Sequence, residues 1–345
     1  MRLGILTGGG DCPGLNAVIR AAVARVVRGH AGLMLGFEDG WRGLFENRVN
    51  DLTLNAVAGI LPRGGTMLGT SRVDPFRAEG GPDAIRAAFT AHRLDGLLVC
   101  GGDGTLAAAS RLADLGLKIV GIPKTIDNDV RGTDYSFGFD TALTTVVRAV
   151  DALHSTAEAH DRVIVVEVMG RTTGWLAVCA SIAGGADVVV TPEEPTRVCD
   201  VCEIIKHRIA RGRDFSIVVV AEGADFKPDP DGRSLQGPLR YDTVGRRRYG
   251  GIGEQLALEL ESRLGIETRH VALGYVQRGG TPTAFDRLLG SRMGIAAVDL
   301  AARGEYGRMV SLHGNRIDSI PLSEVREGPR PVDRELYDVA RVFFG

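Results

Sequence analysis

Glycine residues cluster at the ends of apolar runs, and this arrangement most constrains what the chain can fold into. The 47 glycines include clusters at residues 8–10, 64–65, 101–102, 184–185, 250–251 and 279–280. Glycine lacks a Cβ atom, so the backbone can turn tightly and approach a ligand closely. Scattered glycine would favour disorder. The clusters instead predict tight turns at which backbone groups face a ligand.

Short apolar runs alternate with stretches of helical periodicity. Strands are predicted at residues 2–7, 33–37, 94–100, 118–122, 162–168, 187–191, 215–222 and 268–273. Helices are predicted at residues 14–29, 84–91, 106–115, 141–159, 198–211, 253–264 and 287–302. Continuous apolar strands are typical of a parallel sheet that is buried on both faces. The alternation therefore predicts a doubly wound α/β fold, in which ligands gather at the carboxyl ends of the strands.

Charge and composition exclude several kinds of partner. The chain of 345 residues carries 41 basic and 43 acidic side chains, so its overall field favours neither nucleic acid nor an anionic membrane. No run approaches the length of about 18 apolar residues that a membrane span needs. The five cysteines include one isolated CxxC, Cys199 to Cys202, and we interpret them as reduced thiols of a cytoplasmic protein. Residues 226–249, with basic residues 246–248, interrupt the alternation and predict a surface excursion or hairpin.

Two glycine-rich loops are candidates for phosphate binding. Residues 7–16 form a strand-to-helix turn, where backbone N–H groups can face an anion; on this loop alone, a simple tight turn is an equal alternative. Residues 99–106 end a predicted strand in two glycines followed by Asp103 and Thr105. Asp103 can hold Mg²⁺ against phosphate oxygens, with Thr105 as a possible N-cap. The alternative is that Asp103 itself is only a helix N-cap.

Residues 121–129 carry candidate groups for proton transfer, which the two glycine-rich loops do not supply. Asp127 and Asp129 lie two positions apart, with Lys124 and Thr125 close by. Such carboxylates can orient an acceptor alcohol and remove its proton, and phosphoryl transfer needs this positioning together with neutralisation of charge. An Asp–Asn–Asp turn without catalytic function is the alternative.

Seven motifs together resemble the 6-phosphofructokinase family. They are TGGGDCPGLNAVIR (from residue 7), RGGT with TSR (63–66, 70–72), GGDGT (101–105), PKTIDND (123–129), EVMGR (167–171), AEG (221–223) and LGYVQRGG (273–280). They stand in that family's order and span nearly the whole chain. The resemblance implies two doubly wound, Rossmann-like domains with an active-site cleft between them. The first would comprise residues 1–138 and about 276–325, and the second residues 139–275 and about 326–345.

The resemblance implies an ATP-dependent 6-phosphofructokinase that uses Mg²⁺ to phosphorylate fructose 6-phosphate in glycolysis. Asp127 would be the general base, and Asp129 would support the metal and the acceptor. Arg72 would stabilise the transferring phosphoryl group, with Arg171 on its opposite side, and Thr125 would donate to the acceptor or to that group. The implied catalytic set is Asp127, Arg72, Thr125, Asp129, Arg171 and Lys124. The implied donor-binding set is Gly10, Arg72, Gly102, Asp103, Gly104 and Thr105, with Asp103 as the metal ligand.

The same resemblance implies a sugar-phosphate site. Its implied residues are Thr125, Asp127, Asp129, Arg162, Met169, Gly170, Arg171, Glu222, Arg269, Tyr275 and Arg278. In the family, two arginines from a neighbouring subunit complete the pocket for the 6-phosphate, and Arg162 and Arg269 stand at those positions. Activity would then require a homo-oligomer, a tetramer or else a dimer.

Three positions depart from the commonest family pattern. Gly104 is similar to the ATP-using members, whereas Lys124 is similar to members that use pyrophosphate; the absence of a blocking carboxylate at residue 104 favours ATP. A reversible pyrophosphate-dependent enzyme is the alternative. Tyr275 stands where many bacterial members have histidine, which would admit other sugar phosphates such as sedoheptulose 7-phosphate.

The allosteric pocket of bacterial relatives is basic, and here it is depleted. Arg20 matches one of its arginines, but Ala24, Leu54 and His154 replace others, which predicts weak regulation or none. Two other classes stay open: a lipid or NAD kinase, which shares only GGDGT, and a catalytically silent regulatory subunit. The first class does not account for PKTIDND or MGR. The second would be expected to lose the base or the metal carboxylate, whereas Asp103, Asp127 and Asp129 are all present.

Overall fold

The computed structural model describes residues 1–241 and 247–344. It divides the chain into two compact units, each formed by two chain segments. Unit 1 comprises Met1–Thr141 and Arg278–Pro329, and unit 2 comprises Ala142–Gln277 and Arg330–Gly345. These bounds lie within four residues of those expected from the sequence.

Strands and helices alternate along most of the chain. The strands are β1 (Arg2–Thr7), β2 (Leu33–Phe37), β3 (Val49–Asp51), β4 (Gly96–Gly101), β5 (Ile119–Thr125), β6 (Phe137–Gly138), β7 (Val163–Val168), β8 (Val188–Val190), β9 (Ser216–Ala221), β10 (Arg240–Tyr241), β11 (Arg247–Arg248), β12 (Thr268–Ala272), β13 (Arg308–His313) and β14 (Arg316–Pro321). The helices are α1 (Leu15–His30), α2 (Trp41–Phe45), α3 (Gly81–Ala91), α4 (Asp103–Asp114), α5 (Phe139–Ala159), α6 (Trp175–Gly184), α7 (Val198–Ile209), α8 (Ile252–Leu264), α9 (Ala284–Ala302) and α10 (Arg334–Arg341). Two short 3₁₀ helices cover Gly274–Arg278 and Leu322–Glu327.

Unit 1 is built on a mixed sheet. Its strand order is β14-β13-β5-β4-β1-β2-β3, with β6 also paired to β5. The central pairs are parallel, whereas β3 and β14 add antiparallel edges. The continuous apolar sequences of β4 and β5 are fully buried, because helices cover such strands.

Helices α1 and α9 pack closely in unit 1. A Cβ atom on Gly294 of α9 would lie 2.6 Å from the carbonyl oxygen of Val18 on α1. The two helix backbones can therefore approach this closely because residue 294 is glycine. Helix α1 starts directly after the first glycine-rich loop, with Gly14 as its N-cap in a left-handed conformation at φ 101°. The packing on α9 therefore fixes the helix that follows that loop.

Unit 2 contains a four-stranded parallel sheet in the order β12-β7-β9-β8. Its strands are rich in valine, a β-branched residue that suits a strand, and every residue of β7 and β9 is buried. Helices α7 and α8 pack on this sheet, and Ile205 and Leu256 join Val165 and Val218 in its core.

The prediction of an α/β fold is confirmed, although several elements were missed. Strands β3, β13 and β14 and helices α2, α6 and α10 lacked a clear signal. Helix α6 is mostly buried, so it has no polar face to reveal a helical period. The prediction that the β5 strand ends at Ile122 is wrong, since it continues through Pro123 and Lys124 to Thr125.

The excursion of residues 226–249 contains a short antiparallel pairing of β10 with β11. Arg246 and the other residues between these strands lie outside the described residues. Asp229, near the start of the excursion, pairs with Arg263 on α8 and accepts a hydrogen bond from the Cys199 backbone at 3.1 Å. No helix among residues 1–241 and 247–344 is long and apolar enough to cross a membrane.

Candidate active site

Three neighbouring parallel strands of unit 1 end at the same edge of the sheet. In the pairing register Thr7 of β1 lies beside Cys100 of β4, and Gly101 of β4 lies beside Pro123 of β5. The loops that follow these strands are the two glycine-rich loops and the Asp127–Asp129 turn. The sheet therefore brings the three predicted motifs together at one edge, as parallel topology requires.

The first glycine-rich loop is held by the segment that carries Arg72. The Gly9 backbone N–H donates to the Ser71 carbonyl oxygen at 3.0 Å, and the Thr70 hydroxyl donates to the Gly9 carbonyl oxygen at 2.6 Å. Arg72 follows directly and is exposed. The chain order thus places the backbone of Arg72 beside the loop.

Arg278 contacts the first glycine-rich loop. Its Nη1 donates to the Asp11 carbonyl oxygen at 3.2 Å. A Cβ atom on Gly10 would lie 2.6 Å from the same nitrogen, so a side chain at residue 10 would displace this guanidinium. Arg278 is also the first residue of the second segment of unit 1.

The second loop starts a helix, and the roles expected for its residues change. Gly102 is the N-cap of α4, and Asp103 is already the first helical residue. The expectations of Thr105 or Asp103 as N-cap are therefore wrong. The Thr105 side chain instead packs between the ends of β1 and β4. A Cβ atom on Gly101 would lie 2.4 Å from the Cβ of Thr105, and one on Gly8 would lie 2.8 Å from its Cγ2. Asp103 stays partly exposed in the first turn, where the helix dipole favours a negative charge.

Lys124 is buried at the centre of this assembly. Its side chain is on β5, it is 3% exposed, and its Nζ donates to the Gly10 carbonyl oxygen. Burial lowers the pKa of Lys124, and the nearby Cys12 thiol opposes that shift. Burial likewise raises the pKa of the Cys100 thiol to about 12. Lys124 therefore connects the first loop to the end of β5.

The turn after β5 carries a carboxylate oxygen without a partner. Asp127 is 4% exposed, and its Oδ1 has no hydrogen-bond partner among the residues that the structure describes. The Asp127 backbone N–H donates to the Thr125 hydroxyl at 2.9 Å, which fixes the start of the turn. Since a buried polar atom normally has a partner, Oδ1 is suited to accept a hydrogen bond from a ligand. Asp129 is also buried, at 3% exposed.

Asn128, between the two aspartates, shapes the turn, and sequence reasoning missed it. It adopts a left-handed conformation at φ 52°. Its Oδ1 accepts from the Ser136 backbone N–H at 3.0 Å, and its Nδ2 donates to the Asp134 carbonyl oxygen at 3.3 Å. Asparagine tolerates this backbone conformation better than most residues, and that preference was the available signal.

The segment that supports Asn128 is itself fastened to β13. The Asp134 backbone N–H donates to the Leu312 carbonyl oxygen at 2.9 Å, and the Leu312 backbone N–H donates to the Thr133 hydroxyl at 2.9 Å. Strand β13, which was not predicted, therefore helps to hold the Asp127–Asp129 turn in unit 1.

Unit 2 contains seven of the eleven residues expected to bind sugar phosphate, and four of them lie at one edge of its sheet. Met169, Gly170 and Arg171 follow the carboxyl end of β7, and Glu222 follows that of β9. Gly170 has φ 149°, and its Cβ position lies 2.4 Å from the Thr173 carbonyl oxygen, so the loop requires glycine there. The Arg171 backbone N–H donates to the Glu222 carboxylate at 3.0 Å, and the Met169 backbone N–H donates to the Gln277 side chain at 3.2 Å.

Glu167 is a further structural residue of this edge that had no assigned role. Its buried carboxylate accepts from the backbone N–H groups of Gly251, at 3.0 Å, and Gly253, at 2.7 Å, which lie at the start of α8. Its own carbonyl oxygen accepts from the Leu273 N–H at 3.1 Å. Glu167 thereby joins three segments beside Met169. Tyr275, in the 3₁₀ helix that follows β12, is 77% exposed.

Arg162 and Arg269 lie at the opposite end of the unit 2 sheet. Arg162 directly precedes β7, and Arg269 is the second residue of β12, beside Ile164. Met169 follows the other end of β7, which is six residues long and so spans about 20 Å. Within one unit 2, these two arginines are therefore not gathered with Met169, Gly170 and Arg171.

The residues of unit 1 have the features of a phosphotransferase. Glycine-rich turns at the carboxyl ends of parallel strands suit a polyphosphate, and a buried carboxylate with an available oxygen suits an alcohol acceptor. Comparison with known proteins agrees with this class. The family model for phosphofructokinase matches residues 2–301.

The chain is also similar over its whole length to curated bacterial enzymes. ATP-dependent 6-phosphofructokinase 3 of Streptomyces coelicolor is 49% identical over 98% of each chain. Pyrophosphate–fructose 6-phosphate 1-phosphotransferase of the same organism is 48% identical over 100% of each chain. A crystal structure of Pichia pastoris phosphofructokinase has a TM-score of 0.84 and 30% identity, covering 99% of this chain, which spans 39% of the yeast chain's length.

The chain belongs to the phosphofructokinase family, and it is a phosphotransferase with an alcohol group as acceptor. Its full-length relatives carry ATP-dependent and pyrophosphate-dependent names at nearly equal identity. Similarity alone therefore leaves the phosphoryl donor open, and the local chemistry of the site must decide it.

Proposed function

We propose that the protein is an ATP-dependent 6-phosphofructokinase, which converts fructose 6-phosphate to fructose 1,6-bisphosphate in glycolysis. The observation that carries the proposal is the unpartnered Oδ1 of buried Asp127. A carboxylate oxygen in this position would accept the proton of the sugar 1-hydroxyl while that oxygen attacks the γ-phosphorus. Asp129, two residues away, would hold the acceptor and support the metal.

Unit 1 would bind the donor. Backbone N–H groups near Gly10 and Gly102 would face its phosphates, and Thr105 would line the same loop. Arg72 would neutralise the charge that develops on the transferring phosphoryl group. Arg278, which lies against Gly10, would bridge from this loop to the sugar.

The residues proposed to bind the phosphoryl donor also fit a magnesium ion. No group of three His, Cys, Asp or Glu residues that could hold a metal exists in the described part of the chain, whereas Mg²⁺ in such sites needs only one or two carboxylates beside phosphate and water. Asp103, partly exposed at the start of α4, would supply that carboxylate. When bound, the ion would neutralise charge on the donor phosphates.

Two observations favour ATP over pyrophosphate. A Cβ atom on Gly104 would meet nothing within 4 Å, so the space beside the phosphate loop is open for a longer donor. Lys124 is engaged with the Gly10 carbonyl oxygen inside the loop, which weakens the case for it as a pyrophosphate-binding cation. Pyrophosphate is the second candidate, favoured by the presence of Lys124 and by the names of the relatives.

Unit 2 would bind the sugar phosphate through Met169, Gly170 and Glu222, with Thr125 and Arg171 at the transferring group. The pocket for the 6-phosphate would be completed by Arg162 and Arg269 of a neighbouring subunit. Within one subunit, these two arginines lie at the opposite end of the sheet from Met169 and Gly170. Activity would thus require self-association, as a tetramer or a dimer. Tyr275 offers a hydroxyl rather than a cation, so sedoheptulose 7-phosphate is a possible second substrate.

Regulation at the family's effector site would be weak, and the protein would act in the cytoplasm. His154 is engaged with the Gly184 carbonyl oxygen at 2.8 Å, and Ala24 and Leu54 offer no charge. A strong shift of the sugar saturation curve by phosphoenolpyruvate would contradict this part of the proposal.

The first test is Asp127→Asn in the full-length protein. Loss of a general base is expected to lower kcat about 10²- to 10⁴-fold, while binding of fructose 6-phosphate, measured by calorimetry, is retained. Asp151→Asn, an exposed site on α5, is the control. Wild-type turnover by Asp127→Asn would refute the assignment of the base.

The second test compares donors. Rates with ATP and with pyrophosphate are measured in parallel for the wild type and for Gly104→Asp. We expect the wild type to prefer ATP, and the new carboxylate to raise the KM for ATP at least about tenfold, since it places a like charge beside phosphate. A wild-type preference for pyrophosphate would select the second candidate.

A further inference from the structure

Two arginines of unit 2 share one carboxylate. Glu267 directly precedes β12, and its Oε2 lies 2.8 Å from Nε of Arg162. Its Oε1 pairs with Nη2 of Arg269. The Glu267 backbone carbonyl oxygen also accepts from the Val163 N–H at 3.2 Å, so the position of this carboxylate is fixed between the starts of β7 and β12.

The three side chains form an accessible cluster. Their exposed fractions are 29% for Arg162, 55% for Arg269 and 37% for Glu267. Nε of Arg162, although close to the carboxylate, makes no hydrogen bond to any described residue. The attraction in that pair is therefore mainly Coulombic, and a partly exposed pair of this kind contributes little. A ligand of higher negative charge would compete with the carboxylate for the two arginines.

We propose that Glu267 is an internal competitor of the sugar phosphate and sets the affinity for it. The inference rests on the proposed function, which assigns Arg162 and Arg269 to the 6-phosphate held by the neighbouring subunit. A carboxylate and a phosphate offer similar oxygen geometry to a guanidinium fork. Without sugar phosphate, Glu267 holds both arginines; the phosphate dianion must displace it, and this exchange weakens apparent binding.

Glu267 also explains why the guanidinium groups of Arg162 and Arg269 can lie close together when no phosphate is bound. Adjacent like charges repel; Glu267 neutralises one of the two, and Glu261 lies 3.8 Å from Nη1 of Arg269. The Glu267 carboxylate opposes the binding of any phosphate to these arginines, whether the phosphate is free or attached to a sugar.

Glu267→Gln in the full-length, assembled enzyme tests the proposal, because it keeps the size of the side chain and removes its charge. An exposed ion pair is worth a factor of about two to five in an equilibrium. Release of two pairs is expected to lower the KM for fructose 6-phosphate about four- to twenty-five-fold. The kcat and the donor KM are expected to stay within about twofold, and inhibition by inorganic phosphate is expected to strengthen by a similar factor to the sugar effect.

Glu203→Gln is the matched control, since it removes the same charge from an exposed pair with Lys206 in the same unit; it is expected to leave every constant unchanged. A purely structural Glu267 would instead give a lower melting temperature with an unchanged or higher KM, and that result overturns the proposal. If the Gln variant does not fold, Glu267→Asp tests the proposal instead. Its shorter side chain moves the charge away from the two arginines, and the KM for fructose 6-phosphate is expected to fall about twofold.

Arg162→Ala and Arg269→Ala separate this inference from the function beneath it. If neither variant raises the KM for the sugar, the assignment of the arginines fails, and the competitor role fails with it. If both raise the KM while Glu267→Gln does not lower it, only the competitor role is refuted.

Discussion

Substitution of Asn128 measures how far the Asp127–Asp129 turn depends on one backbone conformation. Two features can be removed separately: the left-handed conformation at φ 52°, and the hydrogen bonds to Ser136 and Asp134. Asn128→Gly keeps the conformation accessible and removes only the side-chain bonds. Asn128→Ala removes the bonds and adds the strain of a Cβ atom in the left-handed region.

The magnitudes follow from burial. Ser136 is 0% exposed, so Asn128→Gly leaves its buried N–H without the Asn128 acceptor, at a cost of about 1–3 kcal/mol in unfolding free energy. Asn128→Ala adds about 1–2 kcal/mol of left-handed strain. Part of that added strain is offset because alanine restricts the unfolded chain more than glycine does. Alanine is therefore expected to be the less stable variant by about 1 kcal/mol.

The assay combines urea unfolding with steady-state kinetics. Both variants are expected to lower kcat at least about tenfold, because the turn sets the direction of Asp127 and misplacement of a catalytic group is costly. The donor KM is expected to change little. Equal stability of the alanine and glycine variants would refute the strain argument, and a wild-type kcat in both would refute the positioning role.

Two further outcomes are expected. Burial raises the pKa of Asp286 to about 6 from 3.8, so its contribution to stability is fully present well below pH 4 and is lost as pH rises through 6. The stability advantage of wild type over Asp286→Asn should fall by about 3 kcal/mol between pH 3 and 7, and a pH-independent difference would contradict this. A Cβ atom on Gly223 would lie 1.7 Å from the Arg171 carbonyl oxygen, so Gly223→Ala should raise the sugar KM at least about tenfold. Gly237→Ala, whose nearest contact is an ordinary 3.5 Å, is the control, and equal KM values for the two variants would speak against the steric argument.

The sequence was most informative where a pattern is local. Apolar strands ending in glycine predicted β1, β4 and β7 to within a residue or two, because burial on both faces leaves a continuous apolar run. The loops that follow them could then be placed at one edge by topology alone. Gly170 and Gly223 were part of recognised motifs for the same local reason.

The remaining features depend on contacts between distant segments, which a local pattern does not encode. Arg278 could be assigned to a ligand but not to the first loop, since that contact joins residues 267 positions apart. The support of Asn128 by β13 likewise depends on Leu312, far along the chain. Glu167 acts through α8, whose start lies 84 residues away. Such partners become visible only in three dimensions.

The discontinuous make-up of unit 1 has a consequence for biosynthesis. Strand β13 pairs with β5 and fastens the segment behind Asn128, yet a ribosome adds it only after all of β7 to β12 has been made. A nascent chain thus carries Asp127 long before the scaffold around that carboxylate can close. Unit 2 has a nearly continuous sheet and can fold earlier. Catalytic competence should therefore emerge late in translation, when the last tenth of the polypeptide is still leaving the exit tunnel.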